Sequence, residues 1–404
     1  MKCIYIIDDY GSSRFNGIGS YIRELIYCFK ELCHQVNMII CNYNVELFSI
    51  QCEDGVKKLL VPKTPAFCLD HYCELISLLR LHITDNPNNV FIVNHGPSSS
   101  FLKYLKEKFP QSKVLFVIHD MTWTYDLMGN DQKYEELYTL KDTPEINSKY
   151  NSMFKYVKAE HEMYRIVDKI ILLSEDTASL FEKYYCFDKQ CLIHNGLRDN
   201  FLRMTFEQIE IIKTKHHLNS SEKIIVYTGR VLRAKGIYQL LTCFETVLKQ
   251  YPNCRLVIIG TVFDPSTLFS YARKVAAKVT FTGQVSMEEV NEWYQIANIG
   301  VLPSYYEQCS YTGIEMLMYG LPIVATDGFC IRNMFTDGVN ARIAKIEDYT
   351  NPALFEKNLA KAILDLLTSP ELCNRLRLGA RAKYESCYRI EYMREKYEGL
   401  LQSL

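Results

Sequence analysis

Two glutamates with seven residues between them form the pattern in this sequence that most clearly points to chemistry. Glu307 comes shortly after a short apolar run at Ile299–Pro303, and Glu315 lies on a stretch with helical spacing at Tyr311–Tyr319. Glu307 therefore precedes a predicted helix, whereas Glu315 lies about one turn inside it. One carboxylate can then face a ligand cleft while the other accepts hydrogen bonds from ligand hydroxyls.

Groups that could bind a diphosphate occur at two places. The apolar run Ile224–Thr228 ends in Gly229 and Arg230, and Lys235 follows before another helical stretch. The arginine can bind a pyrophosphate as a bidentate fork and the lysine as a point charge. A solvated basic loop is the alternative interpretation. The helix after Glu307 offers the second place, because backbone amides in a first turn have no acceptor within the helix. Those amides belong to Tyr311, Thr312 and Gly313.

A pair of glycines, Gly17 and Gly19, separates the first strand-like run from a helical stretch that begins near Tyr21. Glycines at a helix N-terminus let the backbone approach a ligand closely. The third glycine of the dinucleotide fingerprint is replaced by Ile22, which argues against a nicotinamide or flavin cofactor. A tight turn between strand and helix is the alternative interpretation.

Polar and aromatic side chains follow predicted strands in the first half of the chain. His119 directly follows the run Val114–Ile118, and His95 follows another strand-like run. Ligands of open α/β sheets bind at the carboxyl ends of strands, so His119 and His95 are candidate site residues. Trp123 and Tyr125 could stack on a ligand. A hydrogen-bonded structural histidine and buried core aromatics are the alternatives.

The elements that must position these residues are short apolar runs that alternate with helical stretches, which predict parallel sheets buried on both faces. The sequence therefore predicts an α/β fold with two doubly wound domains. Apolar periodicity weakens at 200–221, where we place the domain boundary. The predicted domains are residues 1–200 and residues 201–385. Residues 386–404 are predicted to form a helix that packs back on the first domain.

Composition excludes several classes of protein. The chain has 48% hydrophobic residues and a formal net charge of −1, which is typical of a globular protein and gives no support to nucleic-acid binding. Its 15 cysteines include no C-x2-C pair of the zinc type and fit buried thiols in a reducing cytosol. No apolar run reaches the ~20 residues that a membrane span needs, so the sequence predicts at most peripheral membrane contact.

Taken together, the order and spacing of these motifs resemble the retaining glycosyltransferases of GT-B fold known as family 4, over almost the whole chain. The matching elements are Gly17 with Gly19, His34 before the second strand, Gly229-Arg230, Lys235-Gly236, Gly283-Gln284-Val285, Glu307 with Glu315, and Gly320-Leu321-Pro322-Ile323-Val324-Ala325. The resemblance implies two Rossmann-like domains that face each other across a cleft, with a C-terminal helix crossing back to the first domain. Residues 1–200 would then be the acceptor-side domain and residues 201–385 the nucleotide-sugar-binding domain.

The resemblance also implies a role for each matching residue. Arg230 and Lys235 would hold the diphosphate of a nucleotide-sugar, and the backbone near Val285 would bind the base. Glu315 would bind the ribose and Glu307 the transferred sugar. His119 would lie beside the donor sugar and the acceptor, and the acceptor-side candidates are His95, Trp123 and Tyr125. His119, Glu307, Arg230 and Lys235 are thus the predicted catalytic residues. The family commonly has Gly-Phe-Gly-like residues after the first glutamate, where this chain has Gln308-Cys309-Ser310. The identity of the donor sugar therefore does not carry over.

The implied reaction is the retaining transfer of a hexose-type sugar from a nucleotide-sugar, with UDP favoured, to a hydroxyl acceptor. The acceptor would be a saccharide, a lipid-linked saccharide or a glycoconjugate, in bacterial polysaccharide or glycoconjugate synthesis on the cytoplasmic side. No cofactor is expected, and the absence of an Asp-x-Asp pair favours catalysis without a metal ion. A nucleotide-sugar epimerase or a glycan phosphorylase of the same fold is one alternative. A non-catalytic sugar-binding or partner-activating subunit is the other.

Overall fold

The computed structural model describes residues 1–9, 16–63, 71–94, 98–185 and 187–404, without the side chains of residues 71–73. The chain divides into two compact units. The first unit contains Met1–Asp126, Gln132–Gly196 and Ile390–Leu404, and the second contains Leu127–Asp131 and Leu197–Arg389. The expected boundaries after residues 200 and 385 lie a few residues from these divisions. The short stretch Leu127–Asp131, which belongs to the second unit, was not anticipated.

The first unit is built on a sheet in which eight strands are described, in the order β3-β4-β2-β1-β5-β6-β7-β8. The strands are β1 (Cys3–Asp9), β2 (Gln35–Tyr43), β3 (Ser49–Glu53), β4 (Val56–Pro62), β5 (Asn89–Val93), β6 (Lys113–Val117), β7 (Lys169–Leu172) and β8 (Gln190–Leu192). All pairs are parallel except β3 with β4. Every residue of β5, near the middle of the sheet, is buried. This is the continuous apolar strand expected of a parallel sheet covered on both faces.

Helices connect these strands. They are α1 (Gly17–Glu31), α2 (His71–His82), α3 (Ser99–Lys108), α4 (Thr122–Asp126), α5 (Asp131–Thr139), α6 (Pro144–Ile166) and α7 (Glu175–Leu180). Local chemistry fixes where several of them begin. Asn16 caps α1 by accepting a hydrogen bond from the amide of Ile18 at 2.9 Å, and Ser98 and Ser174 cap α3 and α7 in the same way. Such caps satisfy backbone amides that have no acceptor within the helix.

The second unit has an entirely parallel sheet in the order β11-β10-β9-β12-β13-β14. Its strands are β9 (Lys223–Thr228), β10 (Cys254–Ile259), β11 (Val279–Gly283), β12 (Ile299–Leu302), β13 (Ile323–Thr326) and β14 (Arg342–Ala344). Its helices are α8 (Phe206–Lys215), α9 (Ile237–Gln250), α10 (Pro265–Ala272), α11 (Met287–Ile296), α12 (Tyr311–Met318), α13 (Ile331–Met334), α14 (Pro352–Thr368) and α15 (Pro370–Lys383). Apolar side chains of α9 and α14 share one buried core with β9, β10 and β12. The prediction of two doubly wound α/β domains is confirmed.

The last helix, α16 (Ile390–Gln402), belongs to the first unit although it follows the second in sequence. It packs on α1 through Tyr397, whose ring meets Phe29 edge-on with the centroids 5.3 Å apart. The Tyr397 hydroxyl is also hydrogen-bonded to the hydroxyl of Tyr21, and both side chains are fully buried. Within the part of the chain that the structure describes, no helix is long and apolar enough to cross a membrane.

Candidate active site

Glycines bring two strand ends of the second unit close together at the carboxyl edge of its sheet. Gly229 follows β9 and Gly260 follows β10, and both have φ near 143°, a value that favours glycine. A Cβ added at Gly260 would lie 2.0 Å from the carbonyl oxygen of Gly229. The next residue, Arg230, is half-buried, and its carbonyl accepts a hydrogen bond from the hydroxyl of Tyr227 at 2.7 Å. Close packing of this turn therefore fixes the backbone from which the Arg230 side chain projects.

Lys235 is held beside the end of β12. A short turn at Arg233–Lys235 is followed by Gly236, where φ is 66° and an added Cβ would lie only 1.9 Å from the carbonyl oxygen of Pro303. The amide of Tyr305 also donates to the carbonyl oxygen of Ala234 at 2.9 Å. These contacts join the loop after β9 to the loop after β12. They thereby bring together Lys235 and Glu307, which are far apart in sequence.

The Lys235 ammonium forms an ion pair with Glu307. Its Nζ lies 2.7 Å from Oε1 of Glu307, and the two side chains are 20% and 14% exposed. The same oxygen accepts a hydrogen bond from the hydroxyl of Ser304 at 2.8 Å. A half-buried pair of this kind is screened less by water than a surface pair. Both members remain accessible enough to exchange partners with a ligand.

The backbone around Glu307 is fixed by the neighbouring strand β13. Thr326 at the end of that strand donates its hydroxyl to the carbonyl of Ser304 at 2.6 Å, and the amide of Glu307 donates to Phe329 at 3.2 Å. A Cβ added at Gly328 would lie 2.1 Å from the carbonyl oxygen of Tyr305. The loop that carries the first glutamate is therefore packed against the end of β13 and the residues that follow that strand.

The stretch Leu127–Asp131 also contacts this loop. Gly129 has φ 74°, and a Cβ added there would lie 2.5 Å from Cβ of Tyr306, the residue before Glu307. Asp131 forms a two-point ion pair with Arg332, with Nη2 of the arginine 2.5 Å from Oδ2 of the aspartate. Sequence reasoning missed this contact. The only available signal in the sequence was the glycine itself, and a single glycine is an ambiguous signal.

The second glutamate lies on α12, whose N-terminus is capped by Ser310. Glu315 is buried, and its Oε2 accepts a hydrogen bond from the hydroxyl of Tyr294 at 2.8 Å. Burial, together with the adjacent carboxylate, raises the pKa of Tyr294 far above its ordinary value. The tyrosine therefore stays protonated and acts as the donor. Sequence reasoning also missed Tyr294, because it reads as one more apolar position of α11.

The first turn of α12 differs from the expectation at one residue. The amide of Gly313 donates to the hydroxyl of Ser310 at 3.3 Å, and a Cβ on Gly313 would lie 3.0 Å from Cε of Met334. The Gly313 amide is therefore used in the helix cap, and the lack of a side chain at Gly313 leaves room for Met334. Tyr311 is buried and Thr312 is half-buried. Anion binding by the amides of those two residues stays a prediction.

The turn predicted to bind the base follows β11. Gly283 has φ 70°, and its carbonyl accepts from the amide of Gly260 at 2.9 Å. Thr261 and Gln284 touch through their side chains at 3.4 Å, and Val285 after them is half-buried. The loops after β10 and β11 are thus neighbours at the same sheet edge. The base-binding role of Val285 stays a prediction.

In the first unit, His119 lies at the end of β6 and is half-buried. Its Nε2 lies 3.2 Å from Oδ1 of Asn94, which follows the adjacent strand β5. The Asn94 amide nitrogen donates to the carbonyl of Ile7 at 3.4 Å, so its oxygen faces the histidine. The ring edge of Tyr21 packs at 4.8 Å between centroids. The structure therefore places His119 at the carboxyl edge of its sheet with defined neighbours on two sides.

Of the acceptor-side candidates, Trp123 was wrongly assigned to a ligand surface. Its side chain is fully buried and stacks on Tyr134 with the centroids 4.5 Å apart, so it belongs to the aromatic core of the first unit. Tyr125, two residues later, is 78% exposed and available for contact. His95 lies outside the described residues. Gly17 and Gly19 occupy the first turn of α1, where Gly17 is exposed and Gly19 half-buried.

A buried carboxyl group that the sequence did not single out supports the segment after His119. Glu160 on α6 accepts a hydrogen bond from the amide of Thr122 at 2.8 Å and another from the hydroxyl of the same residue. Burial raises the pKa of Glu160 to about 7, although the hydrogen bonds from Thr122 act in the opposite direction. Glu160 thus anchors the first residue of α4 and is close to half-ionised near neutral pH.

Comparison with known proteins agrees with this geometry. Residues 208–383, nearly all of the second unit's sheet and helices, match the family model described as glycosyl transferases group 1. The chain is 28% identical over 204 residues to the alpha-monoglucosyldiacylglycerol synthase of Acholeplasma laidlawii. That match covers 50% of this chain and 47% of the relative, so this chain aligns with about half the length of that curated relative.

Solved structures resemble the whole chain. Sucrose-phosphate synthase from Thermosynechococcus elongatus superimposes with a TM-score of 0.77 at 17% identity, covering 100% of this chain and 99% of that one. Anabaena HepE in complex with UDP and glucose superimposes with a TM-score of 0.71 at 13% identity, covering 100% of both chains. These likenesses establish the fold: the chain has the two Rossmann-like α/β domains of GT-B glycosyltransferases.

Proposed function

We propose that this protein is a glycosyltransferase that moves a hexose-type sugar from a nucleotide-sugar, with UDP-sugars favoured, to a hydroxyl acceptor with retention of configuration. The observation that carries the proposal is a group of four side chains in the second unit, inside the segment that matches the group 1 family model. Two cations and two carboxylates follow β9 and β12, which are adjacent parallel strands. They are Arg230, Lys235, Glu307 and Glu315.

The physical logic follows from the charge that develops when a glycosidic bond to a diphosphate breaks. Negative charge accumulates on the leaving diphosphate and positive charge on the sugar ring, so fixed cations at the diphosphate stabilise the transition state more than the ground state. Arg230 supplies a guanidinium fork and Lys235 an ammonium at this edge. Glu315 accepts hydrogen bonds from the ribose, and Glu307 accepts them from hydroxyls of the transferred sugar.

The ion pair between Lys235 and Glu307 couples the binding of the diphosphate to the binding of the sugar. Because Lys235 pairs with Glu307 at 2.7 Å, a diphosphate competes with that carboxylate for the ammonium. The carboxylate in turn becomes available to sugar hydroxyls once the lysine has turned to phosphate. Binding of the two halves of the donor is therefore coupled through one ion pair.

We propose that configuration is retained without a covalent intermediate, and we assign no carboxylate as a nucleophile. The reaction is also proposed to need no metal ion, because two cationic side chains can take the role that a divalent ion plays on a diphosphate. Transfer that continues at an undiminished rate in EDTA would support this, and loss of transfer that Mg²⁺ or Mn²⁺ restores would overturn it. The anomeric proton coupling of the product would establish the stereochemistry.

The acceptor is proposed to bind at the carboxyl edge of the first unit, near His119 and the exposed Tyr125. Its class is a saccharide, a lipid-linked saccharide or a glycoconjugate, and one relative is named for a diacylglycerol glycolipid. We propose that the reaction belongs to bacterial polysaccharide or glycoconjugate synthesis on the cytoplasmic side, with peripheral contact at the inner face of the membrane when the acceptor is lipid-linked. Sedimentation with vesicles that contain such an acceptor would test that contact.

A direct test is transfer itself. Purified protein is incubated with UDP-hexoses and a panel of mono- and disaccharide or glycolipid acceptors, and release of UDP is measured with and without acceptor. We expect acceptor-dependent release that disappears in Arg230→Ala and persists in Arg273→Ala, an exposed arginine of the same unit. Conversion of the donor without acceptor would favour an epimerase, and dependence on phosphate a phosphorylase. No turnover despite nucleotide binding would favour a non-catalytic subunit.

A further inference from the structure

A buried tyrosine on α11, Tyr294, is hydrogen-bonded to the second glutamate, Glu315. The Tyr294 side chain is 1% exposed and donates its hydroxyl to Oε2 of Glu315 at 2.8 Å. The two residues come from α11 and α12, on either side of β12 in sequence, so the contact depends on the fold and not on local spacing. The ring of Tyr319 packs beside Tyr294 with the centroids 5.4 Å apart.

The direction of this hydrogen bond is fixed by its surroundings. Burial and the neighbouring carboxylate raise the pKa of Tyr294 far above its ordinary value, so the phenol keeps its proton. A phenol beside a carboxylate then donates, and a charge-assisted bond of this kind is stronger than a neutral one. One oxygen of Glu315 is thereby committed to the tyrosine. Tyr294 therefore takes part in setting the orientation of the carboxylate and the direction of its remaining lone pairs.

We propose that Tyr294 is the positioning residue that makes Glu315 a reader of ribose, and that the pair sets a preference for ribonucleotides over 2′-deoxyribonucleotides. The inference rests on the proposed function, in which Glu315 accepts hydrogen bonds from ribose hydroxyls. Tyr294 itself does not contact the nucleotide in this account. It acts by holding the Glu315 carboxylate correctly turned, so that binding a ribose does not first require the carboxylate to be ordered.

Removing the tyrosine hydroxyl has a specific physical consequence. In Tyr294→Phe, Oε2 of Glu315 is left in a buried place without its phenol donor, and a buried carboxylate that loses a donor is strongly penalised. The carboxylate turns toward other donors or takes up a proton, and either change weakens its acceptance of a ribose hydroxyl. Binding of the rest of the nucleotide is expected to be unchanged, because the proposed base and diphosphate contacts lie elsewhere on the sheet edge.

The experiment compares two nucleotides that differ by one oxygen. Calorimetric titration with UDP and with 2′-deoxy-UDP gives the ratio of their dissociation constants for each variant. We expect wild type to bind UDP about 10-fold more tightly than 2′-deoxy-UDP, as the loss of one hydrogen bond to a charged group implies. In Tyr294→Phe and in Glu315→Gln this ratio falls to about 1–2, mainly through weaker UDP binding. Tyr319→Phe, the matched control on the neighbouring ring, keeps the wild-type ratio.

The outcomes separate the inference from its premise. If Glu315→Gln lowers the ratio but Tyr294→Phe does not, the positioning role of Tyr294 is wrong and the proposed function stands. If neither variant changes a wild-type preference, ribose is read elsewhere and the inference fails together with that role of Glu315. Glu315→Asp gives an independent check, because it keeps the charge but withdraws the carboxylate from the tyrosine. It is expected to lower the ratio, and a retained ratio would also overturn the inference.

Discussion

Replacement of Glu307 by glutamine is expected to tighten the binding of UDP while it abolishes sugar transfer. The substitution keeps a carbonyl oxygen that can accept from Ser304 but removes the charge that holds Lys235. Lys235 can then bind a diphosphate without first breaking its ion pair with residue 307. Transfer nevertheless fails, because the carboxylate that accepts hydrogen bonds from the sugar is gone.

The size of the effect follows from the geometry of the pair. Two unit charges at the observed 2.7 Å interact by roughly 1.5 kcal/mol at the dielectric constant of water and roughly 6 kcal/mol at an effective value of 20. Desolvation and the side-chain entropy of ordering the pair offset most of this, and net values for partly exposed pairs are about 1 kcal/mol. Release of that interaction predicts about a 5-fold lower dissociation constant for UDP.

Calorimetric titration of UDP into wild type and three variants is the assay. We expect tighter binding in Glu307→Gln, weaker binding in Lys235→Met, and no change in Glu245→Gln, a carboxylate whose ion pairs with Lys249 and Lys274 lie on the surface of the same unit. The reasoning is refuted if Glu307→Gln weakens UDP binding as much as Lys235→Met does. The carboxylate would then be holding the lysine in its productive position instead of competing with the nucleotide.

Two further predictions concern support of the site. Gly129→Ala places a Cβ 2.5 Å from Cβ of Tyr306 at a residue with φ 74°, so we expect a lower melting temperature and a lower kcat. Gly55 is the control, because it has a similar φ of 72° but open space around it. Gly55→Ala should therefore lose only about 1 kcal/mol of stability, from backbone strain. Equal effects would contradict this. Glu160 has its native pKa raised to about 7 from an ordinary 4.5, so the native state binds more protons between these values. Stability should therefore fall by about 2 kcal/mol as pH rises from 5 to 7.5, and Glu160→Gln should remove this slope in thermal melts.

The sequence predicted the polar residues that stand at strand ends, and the reason is topological. Parallel strands place their carboxyl ends at one edge, so a residue that follows an apolar run is assigned to that edge without knowledge of side-chain geometry. Arg230, Lys235, Glu307 and His119 were all identified in this way. The pairing of Lys235 with Glu307 was not, because it depends on Gly236 packing against the end of β12.

Other contacts depend on tertiary structure and have no local signature. Tyr294 reads as a core aromatic of an amphipathic helix, and Trp123 reads as an exposed aromatic near a strand end although it is fully buried. Both errors have one cause: aromatic side chains with a polar atom occur in cores and in ligand sites alike. Only the packing of neighbouring elements distinguishes a core position from a ligand site.

The first unit also contains strands that apolar runs did not predict. The hairpin of β3 and β4 has an outer strand whose side chains are mostly exposed, so it lacks an apolar pattern. The turn at Asp54 and Gly55 has φ of 49° and 72° and is the Asp-Gly signal typical of a tight hairpin. That signal was available in the sequence. The three-residue strands β8 of the first unit and β14 of the second unit are too short for any periodicity to appear.

The central claim is that the second unit binds the diphosphate of a nucleotide-sugar through Arg230. The most direct measurement is the thermal stabilisation of wild type, Arg230→Ala and Arg273→Ala by UDP at about 100 times its wild-type dissociation constant. A ligand at that concentration stabilises the native state by ~2.7 kcal/mol, which is a shift of about 5–10 °C for a unit of this size. We predict that shift for wild type and for Arg273→Ala and its loss in Arg230→Ala. An equal shift in all three proteins would contradict the claim.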